Sequence, residues 1–178
     1  MTSVINLFGG PGIGKSTLAA ELFVKMKRLG VNCELVREYV KDWAWEGRKI
    51  VGFDQFYIYG KQTRKESLLF GKVDWVVTDS PIWLSGYYGA HYENTDVFTE
   101  MCRSYYSYCV NHGVNHHNFS LSREKEYSAV GRYQTELEAK RIDTDVIRYL
   151  NENDVSVTSV NERDELKADT ILRSLGIK

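Results

Sequence analysis

The chain has little proline, an odd number of cysteines, almost no net charge and no long hydrophobic run. Two prolines in 178 residues leave no material for long Pro-rich linkers. Cys33, Cys102 and Cys109 fall at unrelated spacings, without a CxxC pair or a Cys/His metal spacing, so they read as buried free thiols in a reducing compartment. A formal net charge of −1 gives the chain as a whole no electrostatic case for a nucleic-acid or membrane surface, though local basic patches remain open. No apolar stretch approaches the roughly 20 residues of a membrane-spanning helix. Val4–Phe8 is too short for a secretory leader and runs at once into glycine. These absences predict a soluble, cytoplasmic protein.

The length suits one domain over residues 1–178, and 43% hydrophobic with 26% charged residues is ordinary for a globular chain. Short apolar runs alternate with longer amphipathic stretches. Val4–Phe8, Cys33–Val36, Val73–Thr78, Val114–Leu121 and Val155–Val160 read as strands. Ser16–Leu29, Tyr39–Gly47, Asp54–Phe70, Asp96–His112, Thr135–Asn153 and Glu162–Leu175 read as helices, with Asp54 as a candidate N-cap. Ser122–Tyr133 is polar and strand-poor, which predicts a mobile loop. The alternation predicts an α/β fold with a parallel sheet, whose ligands sit beyond the carboxyl ends of the strands.

Directly after the first strand stands Gly9-Gly10-Pro11-Gly12-Ile13-Gly14-Lys15-Ser16-Thr17, a gap-free match to G-x-x-x-x-G-K-[ST]. Glycines let the backbone of Gly10, Pro11, Gly12, Ile13 and Gly14 wrap an anion so that its N–H groups point inward, and the helix that follows adds its positive end. Lys15 is expected to neutralise the β- and γ-phosphates of ATP, Ser16 to offer its hydroxyl to Mg²⁺, and Thr17 to bond a phosphate nearer the base. A glycine-rich turn capping a helix is the bland alternative; the buried strand before it and the amphipathic helix after it favour phosphate.

The other strand ends supply further candidates. Asp79, after the third strand, reads as a metal-site ligand or general base, with a helix cap as the alternative. Arg37-Glu38-Tyr39 follows the second strand: Glu38 is placed to take a proton from an acceptor, Arg37 to hold a phosphate or carboxylate, and Tyr39 to line the acceptor site, against the alternative of a surface ion pair. In the predicted loop Arg123, Lys125 and Arg132 are candidate cations for the charge of a moving phosphoryl group, offset by Glu124 and Glu126. Trp43, Trp45, Phe53, Phe56, Tyr57 and Tyr59 cluster near Gln62, which would read a base edge; aromatics at helical spacing also serve as core. His91 is a weaker candidate for substrate contact. His112, His116 and His117 lack the carboxylate or thiol that would complete a metal site.

No N/T-K-x-D guanine motif is present, and the chain is too short for a two-signature or motor ATPase. The blocks Gly9–Thr17, Arg37-Glu38-Tyr39-Val40, Val76–Pro81 and Gly131–Glu136 running on to Ile142-Asp143 resemble the nucleoside- and nucleotide-kinase branch of P-loop kinases. Within that branch they are similar to the ribosylnicotinamide-kinase domain of the bacterial NAD-salvage regulator and its small relatives. The resemblance implies a five-stranded parallel sheet of order 2-3-1-4-5 and a lid at about 122–134 that closes over ATP. It implies phosphate and Mg²⁺ at Lys15 and Ser16, an acidic metal-site or base residue at Asp79, a nucleotide clamp at Arg123, contact with the transferring phosphate at Arg132, and lid anchors at Gln134 and Glu136. Asp79-Ser80-Pro81 lacks the Arg of thymidylate and deoxynucleoside kinases, and Trp83–Asn94 has no counterpart in the resemblance. Small relatives of this kind look like phage-encoded proteins, which would place the chain in a host cytoplasm. The expected activity is transfer of the γ-phosphate of ATP to a nucleoside or nucleoside monophosphate. The alternatives are a polynucleotide or modified-base kinase, with Lys41, Arg48, Lys49, Lys61, Arg64 and Lys65 near the acceptor side, and an ATP-dependent switch.

Overall fold

A computed structural model describes residues 1–178 apart from Lys125 and Glu162. The sheet has five strands, β1 (Thr2–Phe8), β2 (Cys33–Val36), β3 (Trp75–Thr78), β4 (Val114–Leu121) and β5 (Thr158–Val160). They lie in the order β2-β3-β1-β4-β5, every neighbouring pair parallel. This is the order that the resemblance implied.

Pleat alternation along β1 sends its side chains to opposite faces of the sheet. Ile5 and Leu7 pack with Leu18, Leu22 and Met26 of α1 (Lys15–Arg28) and with Ile171 of α7 (Asp164–Ser174). Phe8 packs on the opposite face against α4 (Ile82–Tyr92), α5 (Val97–Asn111) and α6 (Glu136–Glu152). Each such buried aliphatic or aromatic side chain contributes about 1.5–3 kcal/mol over its exposed state. Between α1 and these elements run the short α2 (Lys41–Trp45) and α3 (Asp54–Ser67).

Local signals explain most boundaries. In α1 the buried Leu18, Ala19, Leu22 and Met26 form one stripe, and Lys25, Lys27 and Arg28 complement the carboxyl end of the helix dipole. α6 opens with a reciprocal cap: the Thr135 hydroxyl accepts the Glu138 N–H while Glu138 accepts the Thr135 N–H. The predicted cap at Asp54 is not formed. Asp54 is the first residue of α3, and its carboxylate instead pairs with Arg48 at 3.0 Å and accepts the Val51 N–H. α4 fills the segment for which the sequence offered no element. It is buried nearly all round, including Ile82, Trp83, Leu84 and Tyr87, so no amphipathic period marks it. Glu162, the predicted start of the last helix, lies outside the described residues.

Candidate active site

The phosphate loop sits where β1 hands over to α1, at the carboxyl edge of the sheet. Gly14 caps α1 with φ 108°, a left-handed conformation that a side chain would strain. The first turn of α1 presents N–H groups without intrahelical partners, and Ser16 and Thr17 stand exposed there. Lys15 folds back over the loop: its ammonium donates to the carbonyls of Gly9 at 2.6 Å and Gly10 at 2.9 Å. Burial pushes its pKa down, opposed by the carboxylates of Glu38, Asp79 and Asp143. A cation in a glycine cradle surrounded by carboxylates is placed to exchange carbonyl contacts for phosphate oxygens. The exposed Ser16 hydroxyl and the nearby acidic groups fit a divalent cation, so this donor set suits MgATP.

Glu38 and Asp79 meet across the ends of β2 and β3. The Asp79 carboxylate, 4% exposed, accepts the Glu38 N–H at 2.9 Å. The helix-cap alternative for Asp79 is not realised, because Pro81 occupies the N-cap of α4 and no side-chain cap bond forms. Burial raises the pKa of the half-buried Glu38 against the pull of Lys15. Tyr39 donates its N–H to Gln62 at 3.0 Å. Gln62 is 2% exposed, and its Nε2 has no partner among the described residues. Arg37 stands exposed on the rim, its carbonyl taken by Lys65.

The aromatic cluster divides. Tyr39, Trp43 and Tyr57 touch ring to ring, with the Trp43 and Tyr57 rings stacked at 6.0 Å and the Arg48 guanidinium 3.4 Å over Trp43. Tyr59 is buried and donates to the Met101 carbonyl, so it belongs to the core. Trp45 and Phe53 are 62% and 87% exposed. His91 stacks on Tyr87 within α4.

The segment between β4 and α6 arches over the loop. A Cβ on Gly12 would lie 3.0 Å from the Tyr127 ring and 3.2 Å from Arg132 Nε, so both side chains cover the glycine cradle. Arg132 donates to the Ser128 carbonyl and lies 5.5 Å from the Tyr127 ring centre. Tyr133 donates to the Arg48 carbonyl at 2.6 Å, and Gly131 packs on Trp45, which ties this segment to the α2 side. The Gln134 carbonyl accepts from the Tyr127 hydroxyl, whereas Glu136 pairs with Lys140 one turn along α6. Lys125 lies outside the described residues. Arg123 is not in the arch: it lies against the front of the phosphate loop, paired with Asp143.

Two residues of this neighbourhood had no assigned role. Tyr88 of α4 lies within electrostatic reach of Glu38 and Asp143, and burial pushes its phenol far up; its helix left no period to read. Asp143 follows the buried Ile142 on α6; it ends the last block of the resemblance, which gives it no role.

This arrangement is a phosphate loop at the carboxyl edge of a sheet with a kinase-like fold. The chain belongs to the AAA domain family, whose model matches residues 4–166. None of the curated proteins matches it in sequence. Among solved structures it is similar to deoxyadenosine kinase from M. mycoides with the products dCMP and dCDP bound, at 16% identity and TM-score 0.58, covering 97% of this chain and 98% of that one. It is also similar to a mutant APS kinase from Mycobacterium tuberculosis, at 11% identity and TM-score 0.55, covering 98% and 97%. At these identities the likeness establishes the fold.

Proposed function

We propose that the protein is an ATP-dependent kinase that transfers the γ-phosphate to a nucleoside or nucleoside monophosphate. The observation that carries this reading is the convergence of three parts at one sheet edge. These are the phosphate loop with Lys15, the Glu38–Asp79 pair beside it, and Arg132 above the glycines. The likeness to two kinases supports the same class.

Lys15, Ser16 and the amides from Gly12 onward would hold the phosphates, and the Ser16 hydroxyl and Asp79 would hold Mg²⁺. The bound Mg²⁺ supplies charge neutralisation on the phosphate oxygens. An acceptor oxygen then attacks the γ-phosphorus in line as the bond to the bridging oxygen of the departing ADP breaks. For a hydroxyl acceptor Glu38 takes the proton. Its burial keeps it basic, while Asp79 holds its backbone and is the second candidate for that role. For a phosphate acceptor no base is needed, and Arg37 is the clamp. Arg132 neutralises the equatorial oxygens. Gln62 would offer its Nε2, which has no partner among the described residues, and Tyr39 its ring to the base of the acceptor. The earlier likeness to ribosylnicotinamide kinases adds nicotinamide riboside to the candidate acceptors.

An ATP-consumption screen tests this. Nucleosides, nucleoside monophosphates, nicotinamide riboside and 5′-hydroxyl oligonucleotides are offered in turn, with Lys15→Ala as the blank. Stimulation of at least about tenfold by one small acceptor is expected, a factor equal to about 1.4 kcal/mol of barrier. Stimulation by the oligonucleotide alone would move the acceptor to a polynucleotide. Slow hydrolysis indifferent to every compound would sink the kinase reading for that set and favour the switch.

A further inference from the structure

Asp143 carries no role in the reading above, yet its contacts are concentrated on the phosphate loop. Its Oδ1 accepts the Gly10 N–H at 2.7 Å and Arg123 Nη2 at 3.0 Å, and its Oδ2 accepts Arg123 Nε at 2.7 Å. Arg123 Nη2 also donates to the Pro11 carbonyl at 2.8 Å. Two consecutive loop residues are thus held from outside, one through its N–H and the next through its C=O. The approach is close: a Cβ on Gly10 would lie 2.5 Å from the Ala139 carbonyl and 2.6 Å from Asp143 Oδ1. We propose that Asp143 is a positioning residue, which together with Arg123 fixes the front edge of the phosphate loop in the form that receives a nucleotide. This inference rests on the reading of the loop as a nucleotide site.

A carboxylate beside an anion site is unfavourable by simple charge and calls for a reason. Gly10 gives its N–H to Asp143 and Pro11 has none, so the donors left for an anion begin at Gly12. The Gly10 N–H is turned outward and the loop is pinned at its mouth. The repulsion is answered by the bidentate guanidinium, which fits the carboxylate fork and is always charged. The pair is mostly buried, with side-chain exposures of 11% for Arg123 and 20% for Asp143, so solvent screens it weakly. Arg123 retains one buried nitrogen, Nη1, without a partner among the described residues. Because Arg123 is the second residue after β4, the pair also ties the root of the overlying segment to the loop and to α6.

The sign of one substitution separates positioning from bare electrostatics. Asp143→Asn keeps the size and an acceptor but removes the charge. A carboxylate that only repels phosphate would, once neutralised, let nucleotide bind more tightly. A positioning carboxylate, once neutralised, releases Arg123 and the loop, and binding weakens.

The test is calorimetric titration of the full chain with MgADP, which needs no acceptor. Asp143→Asn and Arg123→Gln are each expected to weaken binding at least tenfold. The double variant is expected to be no weaker than the worse single one, because the two act as a unit. Arg123→Lys keeps the charge but loses the fork and should fall between wild type and Arg123→Gln. It also keeps the question open to measurement if Asp143→Asn does not fold. Wild-type binding that Asp143→Asn leaves unchanged or tightens overturns this inference alone. Failure of the wild type to bind MgADP, or binding indifferent to Lys15→Ala, overturns the nucleotide reading and this inference with it.

Discussion

The phosphate loop and the α2–α3 surface lie side by side on the rim of one sheet, yet they are held in different ways. The loop is gripped on all sides: Lys15 bonds its carbonyls, Asp143 and Arg123 hold Gly10 and Pro11, and α1 leaves it with an intact apolar stripe. The α2–α3 surface is held by aromatic and cation–aromatic contacts, with Trp45 and Phe53 left largely exposed. Its buried polar groups, Gln62 Nε2 and Glu66 Oε1, lack partners among the described residues. A site for triphosphate meets the same charge pattern in every substrate and is served by fixed geometry. In the proposed function the acceptor is read on the α2–α3 side, by Gln62 and Tyr39, and such a site discriminates by shape and hydrogen bonds.

The sharpest cut between the two regions is Glu38→Gln. With a hydroxyl acceptor we expect transfer to fall about 10²–10⁴-fold while MgADP binds as in the wild type. Burial holds the Glu38 carboxyl above its usual range. The wild-type rate should therefore fall as pH drops through that raised pKa, and the variant should lose this limb. A variant with the wild-type rate and pH profile removes Glu38 from the chemistry.

Glu66 gives the next effect, on stability. Fully buried on α3, with the Tyr105 hydroxyl donating to it at 3.4 Å, its carboxyl is pushed by burial from 4.5 up to about 8. Between those values the folded chain keeps a proton that the unfolded chain has released. The stability contribution of Glu66 is thus complete below about 4.5 and is lost as pH rises through about 8. Glu66→Gln should raise the melting temperature at pH ~9 and leave it nearly unchanged at pH ~5. An equal shift at both pH values would show that α3 tolerates the charge.

Gln62→Leu should raise KM for the acceptor by about tenfold and leave KM for ATP alone, as loss of one buried hydrogen-bonding group allows. Equal changes in both constants would erase the distinction between the two regions. The smallest effect is on the loop side: Thr135→Ala removes the reciprocal cap of α6 and should cost about 1 kcal/mol in denaturant unfolding, with m unchanged.

Much of the fold was written locally. β2 and β4 begin and end at the residues that apolar patterning predicts, and the glycines and Lys15 announce the phosphate loop without help from the rest of the chain. Where one face of an element is buried and the other wet, the period shows in the sequence. α4 escaped that logic, since burial on every side erases the period and takes Tyr88 with it. Asp54 escaped it too, because Arg48 competes for the carboxylate that would have capped α3.

By itself the sequence determined the order of the strands and of every helix but α4, the phosphate loop and the acidic residues at the strand ends. These depend on neighbours within a few positions, where hydrophobic period and glycine geometry act. Only the tertiary structure decided that Asp143 and Arg123 grip the loop, that Asp79 holds the backbone of Glu38, and that Tyr133 and Gly131 lean on the α2 side. Those partners are tens to more than a hundred residues apart, and the charge or hydroxyl of each fits many partners equally well. Which one it meets is set by the crossover connections of the parallel sheet, which gather the strand ends at one edge.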